Sequence, residues 1–236
     1  MKLIVANFKM NLLKKYILEY LNHFDDKYSN VIFCPSYIYL NYFLEKKLNV
    51  GSQDVAFEEN GAFTGDVSAS QLKSIGVKYT IIGHSERRKY YEDDKYINKK
   101  LNCALSNELI PILCIGETKE EREKEKAYDV LTNQLDGALR AVKKNLLSNI
   151  IIAYEPIWSI GTGLVPNNQD IYNTIFFIKE HLQKQYNVNL KVLYGGSVNN
   201  QNINDLQQIN NVDGYLIGGS SIDYNKFLDI IDKVNC

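Results

Sequence analysis

Proline is scarce in this sequence, with 4 residues in 236, and no tract rich in glycine and serine interrupts the chain. Linkers between domains are usually rich in one or more of these residues. The one dense run of charge, 120–126, lies inside a helical pattern. The sequence therefore predicts a single domain over residues 1–236, a length that one α/β core can reach.

The chain also lacks a long apolar run, a basic N-terminal region and an excess of either charge. Without the first two features, secretion and membrane insertion are unsupported. The 27 basic and 28 acidic residues leave a net charge of -1, so no overall field attracts nucleic acid or an anionic membrane. We therefore expect a cytoplasmic protein without nucleic-acid or membrane partners, in which any anionic ligand is held locally.

Cysteine pairs with the spacing of a metal or redox site are missing as well. Cys34, Cys103, Cys114 and Cys236 show no C-x-x-C spacing and lie in strand-like, helix-like and terminal positions. This distribution is typical of reduced structural thiols. The sequence predicts no metal site.

What the sequence does contain is a regular alternation of short apolar runs and amphipathic helical patterns. The predicted strands are 2–6, 31–34, 49–53, 78–82, 110–115, 149–153, 190–194 and 212–217. Eight such units close a parallel sheet into an α/β fold, the (β/α)8 barrel, whose reactive residues lie at the strand C-termini. A doubly wound open sheet is the alternative, but its usual G-x-G-x-x-G after the first strand is absent.

Helix boundaries can be predicted in some places. The first helix is expected to bury Leu13 and Ile17 on one face, and Ser36 is a predicted N-cap for a helix over 37–47. A long irregular segment, 54–67, precedes a further helix that starts at Ser68.

Glu155 stands at the predicted tip of the sixth strand, where Pro156 restricts the directions its carboxylate can take. The segment that follows contains Ile157, Trp158 and Ile160, bracketed by Gly161 and Gly163. Such apolar residues suit a lid that closes over a ligand. A stiff connection whose tryptophan belongs to the core is the other interpretation of this segment.

In a barrel, residues from other strand ends face the same cavity as Glu155. The turns at 195–197 and 218–219 offer backbone N–H groups suited to phosphate, although plain tight turns use glycine too. Lys9 is by default a surface cation, but after the first strand it can balance a phosphate. His84 at a predicted helix start favours a neutral imidazole donor, or it is a structural histidine.

Several motifs together resemble the triosephosphate isomerase family, and the resemblance runs from the first strand to the last. They are Asn7-Phe8-Lys9-Met10-Asn11, Asn60-Gly61-Ala62-Phe63-Thr64-Gly65, Gly83-His84-Ser85-Glu86-Arg87-Arg88, Cys114-Ile115-Gly116-Glu117, Ala153-Tyr154-Glu155-Pro156-Ile157-Trp158-Ser159-Ile160-Gly161-Thr162-Gly163 and Tyr194-Gly195-Gly196-Ser197-Val198. The resemblance implies a TIM barrel without a cofactor, acting in glycolysis and gluconeogenesis on a triose phosphate.

The resemblance also implies roles for individual residues. Glu155 is the base, His84 the electrophile and Lys9 the cationic anchor with Asn7 beside it. Glu86 and Ser85 are supporting residues, and the segment around Phe63 and Thr64 resembles the family's dimer loop, which implies a homodimer. The implied phosphate cradle consists of Gly161, Ser197, Gly218 and Gly219.

Two departures from the family pattern bear on these expectations. Phe8 stands where tryptophan is usual, which is expected to be a packing change. Leu164-Val165-Pro166 ends the lid with residues that differ from the common pattern, so hinge rotation is expected to concentrate at 161–164.

The implied reaction interconverts dihydroxyacetone phosphate and D-glyceraldehyde 3-phosphate through an enediolate. A barrel that binds a sugar phosphate without turning it over is the rival interpretation. It would keep the glycine turns but would not need the aimed carboxylate of Glu155. A Schiff-base aldolase would need a lysine inside a strand, whereas Lys78 and Lys191 only begin theirs.

Overall fold

A computed structural model of the chain describes residues 1–162 and 164–236. Eight parallel strands form a closed barrel in sequence order, and β1 pairs with both β2 and β8. The strands are β1 (Leu3–Asn7), β2 (Val31–Cys34), β3 (Asn49–Ser52), β4 (Tyr79–Ile82), β5 (Ile110–Ile115), β6 (Ile151–Tyr154), β7 (Lys191–Tyr194) and β8 (Gly214–Ile217). The predicted (β/α)8 barrel is confirmed. That residues 1–236 make up one domain stays a prediction.

Helices follow the strands around the outside of the barrel. They are α1 (Lys14–Leu21), α2 (Leu40–Glu45), α3 (Ala69–Ser74), α4 (Ser85–Tyr90), α5 (Asp94–Ser106), α6 (Lys119–Glu123), α7 (Ala127–Leu139), α8 (Lys144–Leu147), α9 (Asn168–Tyr186), α10 (Ile203–Gln207) and α11 (Tyr224–Asn235). Short 3-10 turns occupy Tyr37–Tyr39, Ile157–Ser159 and Gly219–Ile222. Among the described residues, no helix combines the length and the apolar character that crossing a membrane requires.

The alternation of side chains along each strand decides which residues reach the barrel interior. A small apolar cluster that includes Val5, Cys114, Ala153 and Leu216 fills the interior, and a much larger one lies between strands and helices. Because successive strand residues point to opposite faces, the residue two positions beyond Ala153 points inward again. That residue is Glu155, so strand periodicity alone directs its carboxylate toward the axis.

Several local predictions hold and two are wrong. Ser68 caps α3 through a capping box with Gln71, and α9 buries Ile171, Ile175, Ile178 and Leu182 as the spacing predicts. Ser36 makes no capping bond, because its hydroxyl donates to the Lys9 carbonyl at 3.3 Å, and the helix after it begins as a 3-10 turn. Leu13 is 70% exposed, since it precedes α1 in an extended conformation and lies off the helix face.

Candidate active site

A cavity of about 220 Å³ opens at the carboxyl ends of the strands. It is lined by every residue that the sequence assigned to catalysis or to the phosphate cradle: Asn7, Lys9, His84, Glu155, Gly161, Ser197, Gly218 and Gly219. The supporting residues Ser85 and Glu86 do not line it, but each contacts a residue that does. Side chains separated by most of the sequence therefore share one space.

Glu155 is almost fully buried, at 2% exposure, directly after β6. The Ser85 N–H donates to its Oε2 at 3.2 Å, and His84 Nε2 lies 3.2 Å from its Oε1. A side chain on Gly195 would meet Glu155 Cγ at 2.9 Å, so the turn after β7 must carry glycine there. These contacts hold a buried carboxylate at the cavity wall with two polar partners.

His84 is the N-cap residue of α4, as the predicted helix start requires. The Glu86 N–H donates to His84 Nδ1 at 3.2 Å, which makes Nδ1 an acceptor. In the neutral imidazole the proton therefore resides on Nε2, the nitrogen that faces the cavity and Glu155. This assignment follows from the hydrogen-bond network and gives the ring a donor for a ligand oxygen.

Lys9 lies in a left-handed backbone conformation, with φ 51°, just after β1. Such a conformation is unfavourable for a residue other than glycine and has to be maintained by its surroundings. Asn7 Oδ1 accepts the Lys9 N–H at 3.0 Å, and Gln53 Nε2 donates to the Lys9 carbonyl at 2.8 Å. Asn7 and Gln53 thus fix the backbone from which the ammonium reaches the cavity.

Glu86 pairs with Lys9 through a contact of 2.7 Å between Oε1 and Nζ. Partial burial raises the pKa of Glu86, but the hydrogen bond from Lys9 and the positive charge of Lys9 outweigh it, so the pKa is lowered. Glu86 is therefore held as a carboxylate that orients the ammonium. Glu86, for which the resemblance implies a supporting role, contacts Lys9, and its Oε2 lies 3.7 Å from His84 Nδ1.

Arg87 and Arg88 hold the segment that carries His84. Arg88 donates to the Gly83 carbonyl at 2.9 Å, to the Cys114 carbonyl at 3.0 Å and to Asp94 at 2.6 Å. Arg87 pairs with Asp54 at 2.8 Å. Because these groups lie after β4, within β5, at the start of α5 and after β3, the arginines tie the His84 turn to its neighbours.

Cys114 is a buried thiol next to Glu155. Burial raises the pKa of Cys114 well above its ordinary value, and the adjacent Glu155 carboxylate raises it further. The thiol therefore stays protonated and apolar in character, as expected of a structural cysteine. Across residues 1–162 and 164–236, no group of three or more His, Cys, Asp and Glu side chains is placed to hold a metal ion.

The predicted lid starts with the 3-10 turn Ile157–Ser159 and continues through Gly161, which has a positive φ of 69°. Trp158 is half-buried, and its Nε1 donates to Glu117 Oε1 at 3.1 Å. The predicted hinge glycine Gly163 lies outside the described residues. Beyond it, Leu164 is exposed whereas Pro166 is buried.

Sequence reasoning gave no role to Glu117 and Ser159. Glu117 is fully buried and accepts hydrogen bonds from Tyr154, Trp158 and Arg122, which joins the lid to β6 and α6. Ser159 is also fully buried, and its Oγ accepts the Ser197 N–H at 3.1 Å. The sequence signal for each is a polar residue close to the apolar residues of the lid. This signal becomes informative only when the closed barrel shows that both side chains are buried.

Fold and site together define a class: an enzyme of the (β/α)8-barrel type with a carboxylate, an imidazole and an ammonium around one cavity at the strand C-termini. A sequence model of triosephosphate isomerase matches residues 2–234. The chain belongs to the triosephosphate isomerase family.

Individual relatives agree with this placement. The chain is 38% identical to triosephosphate isomerase of Alkaliphilus metalliredigens and 39% identical to that of Mycoplasma capricolum, covering 98% of both chains in each comparison. It is 37% identical to the Clostridium botulinum protein of the same name, over 98% of each chain. The similarity therefore extends over whole chains and includes every strand of the barrel.

Proposed function

We propose that the chain interconverts dihydroxyacetone phosphate and D-glyceraldehyde 3-phosphate by moving a proton between adjacent carbons. One observation carries this proposal: the buried Glu155 carboxylate lies 3.2 Å from His84 Nε2 at the edge of a cavity that Lys9 also lines. A base, a neutral hydrogen-bond donor and a cation in one cavity are the groups that an enediolate requires.

Glu155 is the proposed base that removes the carbon-bound proton. Glutamate as base with a neutral histidine as electrophile is the established assignment for this family, and the present geometry supports carrying it over. The Ser85 N–H holds one carboxylate oxygen, so the other is the oxygen nearer to the cavity donors. Positioned proton transfer of this kind contributes roughly 10² to 10⁴ in rate.

His84 and Lys9 are proposed to stabilise the negative charge that develops on the substrate oxygens. The Nε2–H of the neutral His84 ring can donate a hydrogen bond to a substrate oxygen while the ring itself stays uncharged. The ammonium of Lys9 balances the phosphate and the developing oxyanion, and its 25% exposed side chain is already oriented by Glu86. Preorganised donors of this kind do not have to reorganise during the reaction.

The phosphate is proposed to lie against the turns after β7 and β8. Gly218 and Gly219 offer backbone N–H groups there. A side chain at Gly218 would approach Lys9 Cε to 3.2 Å. The Ser197 N–H and the lid at Gly161 complete the cradle. Closure of the lid would exclude water from an enediolate that could otherwise lose its phosphate.

The protein is further proposed to act as a homodimer through the segment 58–66. All residues of this segment are exposed, and Phe63 retains 41% exposure while its ring rests edge-on against Phe57 at 5.8 Å. An apolar ring held at the tip of a projecting loop suits a self-complementary interface. Both substrates belong to glycolysis and gluconeogenesis, so we propose that the protein works in the cytoplasm.

The test is a coupled assay in which the purified chain receives D-glyceraldehyde 3-phosphate and the dihydroxyacetone phosphate formed is reduced with NADH. We expect saturable turnover that needs no metal or cofactor beyond the NADH of the coupling reaction. Binding of glycerol 3-phosphate without turnover would instead identify a sugar-phosphate-binding barrel.

A further inference from the structure

The hydroxyl of Ser159 occupies a backbone donor of the proposed phosphate cradle. Ser159 ends the 3-10 turn that begins the lid, and its side chain is fully buried. Its Oγ accepts the Ser197 N–H at 3.1 Å, across 38 residues of sequence. The same N–H is assigned above to the substrate phosphate, so two acceptors are directed at one donor.

The surroundings keep this hydroxyl in place. Tyr194, at the end of β7, brings its OH within 3.4 Å of Ser159 Oγ. Burial raises the pKa of Tyr194 to about 12, so its phenol is protonated near neutral pH and can exchange hydrogen bonds with the serine. A side chain on Gly196 would meet Ser159 Oγ at 2.7 Å, so the β7 turn approaches the lid this closely only because that residue is glycine.

We propose that Ser159 Oγ competes with a phosphate oxygen for the Ser197 N–H, so that phosphate entry breaks the bond that ties the start of the lid to the β7 turn. This inference rests on the proposed function and makes Ser159 a positioning residue. Hydrogen bonds to a charged acceptor are roughly twice as strong as those to a neutral one, so the phosphate displaces the hydroxyl. The exchange then couples phosphate binding directly to the release of Ser159, at the start of the lid, from the Ser197 N–H of the β7 turn.

The competition predicts an unusual result for Ser159→Ala. Removing the competitor should strengthen binding, because phosphate no longer has to break a hydrogen bond that is worth about 1 kcal/mol net, or about fivefold in affinity. We expect the Kd of inorganic phosphate to fall by roughly this factor. Since substrate and transition state share the phosphate, KM should fall while kcat stays within about twofold. If the Ser159 hydroxyl only supported the fold, Ser159→Ala would instead bind phosphate more weakly and would be less stable.

Trp158 provides a direct readout, since it is the single tryptophan of the chain and adjoins Ser159. Inorganic phosphate should change its fluorescence in the wild type and change it less in Ser159→Ala, where the tie is already absent. Ser159→Cys supplies a second variant, because sulfur fills similar space but is a weak acceptor. It should also bind phosphate more tightly, even if the alanine variant folds poorly.

Ser52→Ala is the matched control. Ser52 is a fully buried serine whose hydroxyl lies 2.8 Å from Thr80 Oγ1, away from the cavity lining. Its loss should lower stability and leave the phosphate Kd unchanged.

If the wild type turns over triose phosphate but Ser159→Ala and Ser159→Cys bind phosphate equally or more weakly, the competition is refuted and the proposed function stands. A wild type that neither binds phosphate nor turns over substrate would overturn both.

Discussion

Lys9 combines an unfavourable backbone conformation with a charge that faces the cavity, so its position serves the site rather than the fold. Lys9→Met keeps most of the stem and removes the charge. A charged hydrogen bond is worth about 1.5–3 kcal/mol, so affinity for glycerol 3-phosphate should fall by roughly 10- to 100-fold. Calorimetry on Lys9→Met measures this change.

Lys119→Met is a suitable control for that measurement, because Lys119 is an exposed lysine of α6 outside the cavity lining. It should leave the affinity unchanged. Equal affinities for wild type and Lys9→Met would show that Lys9 does not contact the phosphate.

Glu86 adds a pH-dependent contribution to stability. Its pKa in the folded protein is lowered from the ordinary 4.5, so the carboxylate form is favoured by folding. The stabilisation is therefore fully present above the unfolded pKa and is lost as the pH falls through the lower folded pKa. The difference in Tm between wild type and Glu86→Gln should be largest above about pH 5 and should shrink in more acidic buffer. A difference that stays constant with pH would contradict this.

Among the structural elements, the strands were the most predictable from sequence. The prediction for β5 matches the structure at both ends. That for β8 begins two residues early, because Val212 is apolar and buried but pairing with β1 starts only at Gly214. The helix after β2 was predicted less well. A serine before a helix usually caps it, but Ser36 bonds the Lys9 carbonyl instead, a contact between distant residues that no local pattern contains.

The same reason limits what sequence says about the site. Strand ends can be located from apolar runs, and the barrel then brings Glu155, His84 and Lys9 to one cavity. The contacts of Gln53 with Lys9 and of Ser159 with Ser197 depend on how loops cross the top of the barrel. Such contacts join residues without periodicity or fixed spacing, so a single sequence does not contain them.

The lid carries a prediction at the scale of the element. Val165 packs against the core and Pro166 is buried, so the end of the lid is anchored and rotation has to occur before it. Pro166→Ala should change kcat by less than about threefold, whereas Gly161→Val should lower it strongly, because φ of 69° is unfavourable for a β-branched residue. Steady-state kinetics and circular dichroism on both variants test this. If both variants fold and Pro166→Ala loses more kcat than Gly161→Val, the hinge lies at the Pro166 end of the lid and this prediction is wrong.

At the scale of the whole molecule, the exposed segment 58–66 leads to the prediction of a dimer. Phe63→Asp places a charge where an apolar ring would be buried against a second copy, which is costly without a partner charge. Sedimentation should show a wild-type dimer and a Phe63→Asp monomer with little activity. Glu58→Gln, an exposed change on the same segment, is expected to remain dimeric. A wild-type monomer at micromolar concentration would refute the proposed interface.

The central claim is that Glu155 transfers the proton, and Glu155→Gln tests it most directly. Glutamine keeps the shape and an oxygen that can accept the Ser85 N–H, but it is not a base. In the coupled assay with D-glyceraldehyde 3-phosphate, kcat should fall by roughly 10² to 10⁴ while the Kd of glycerol 3-phosphate stays within about threefold. A Glu155→Gln variant whose kcat remains within about threefold of wild type would contradict the account.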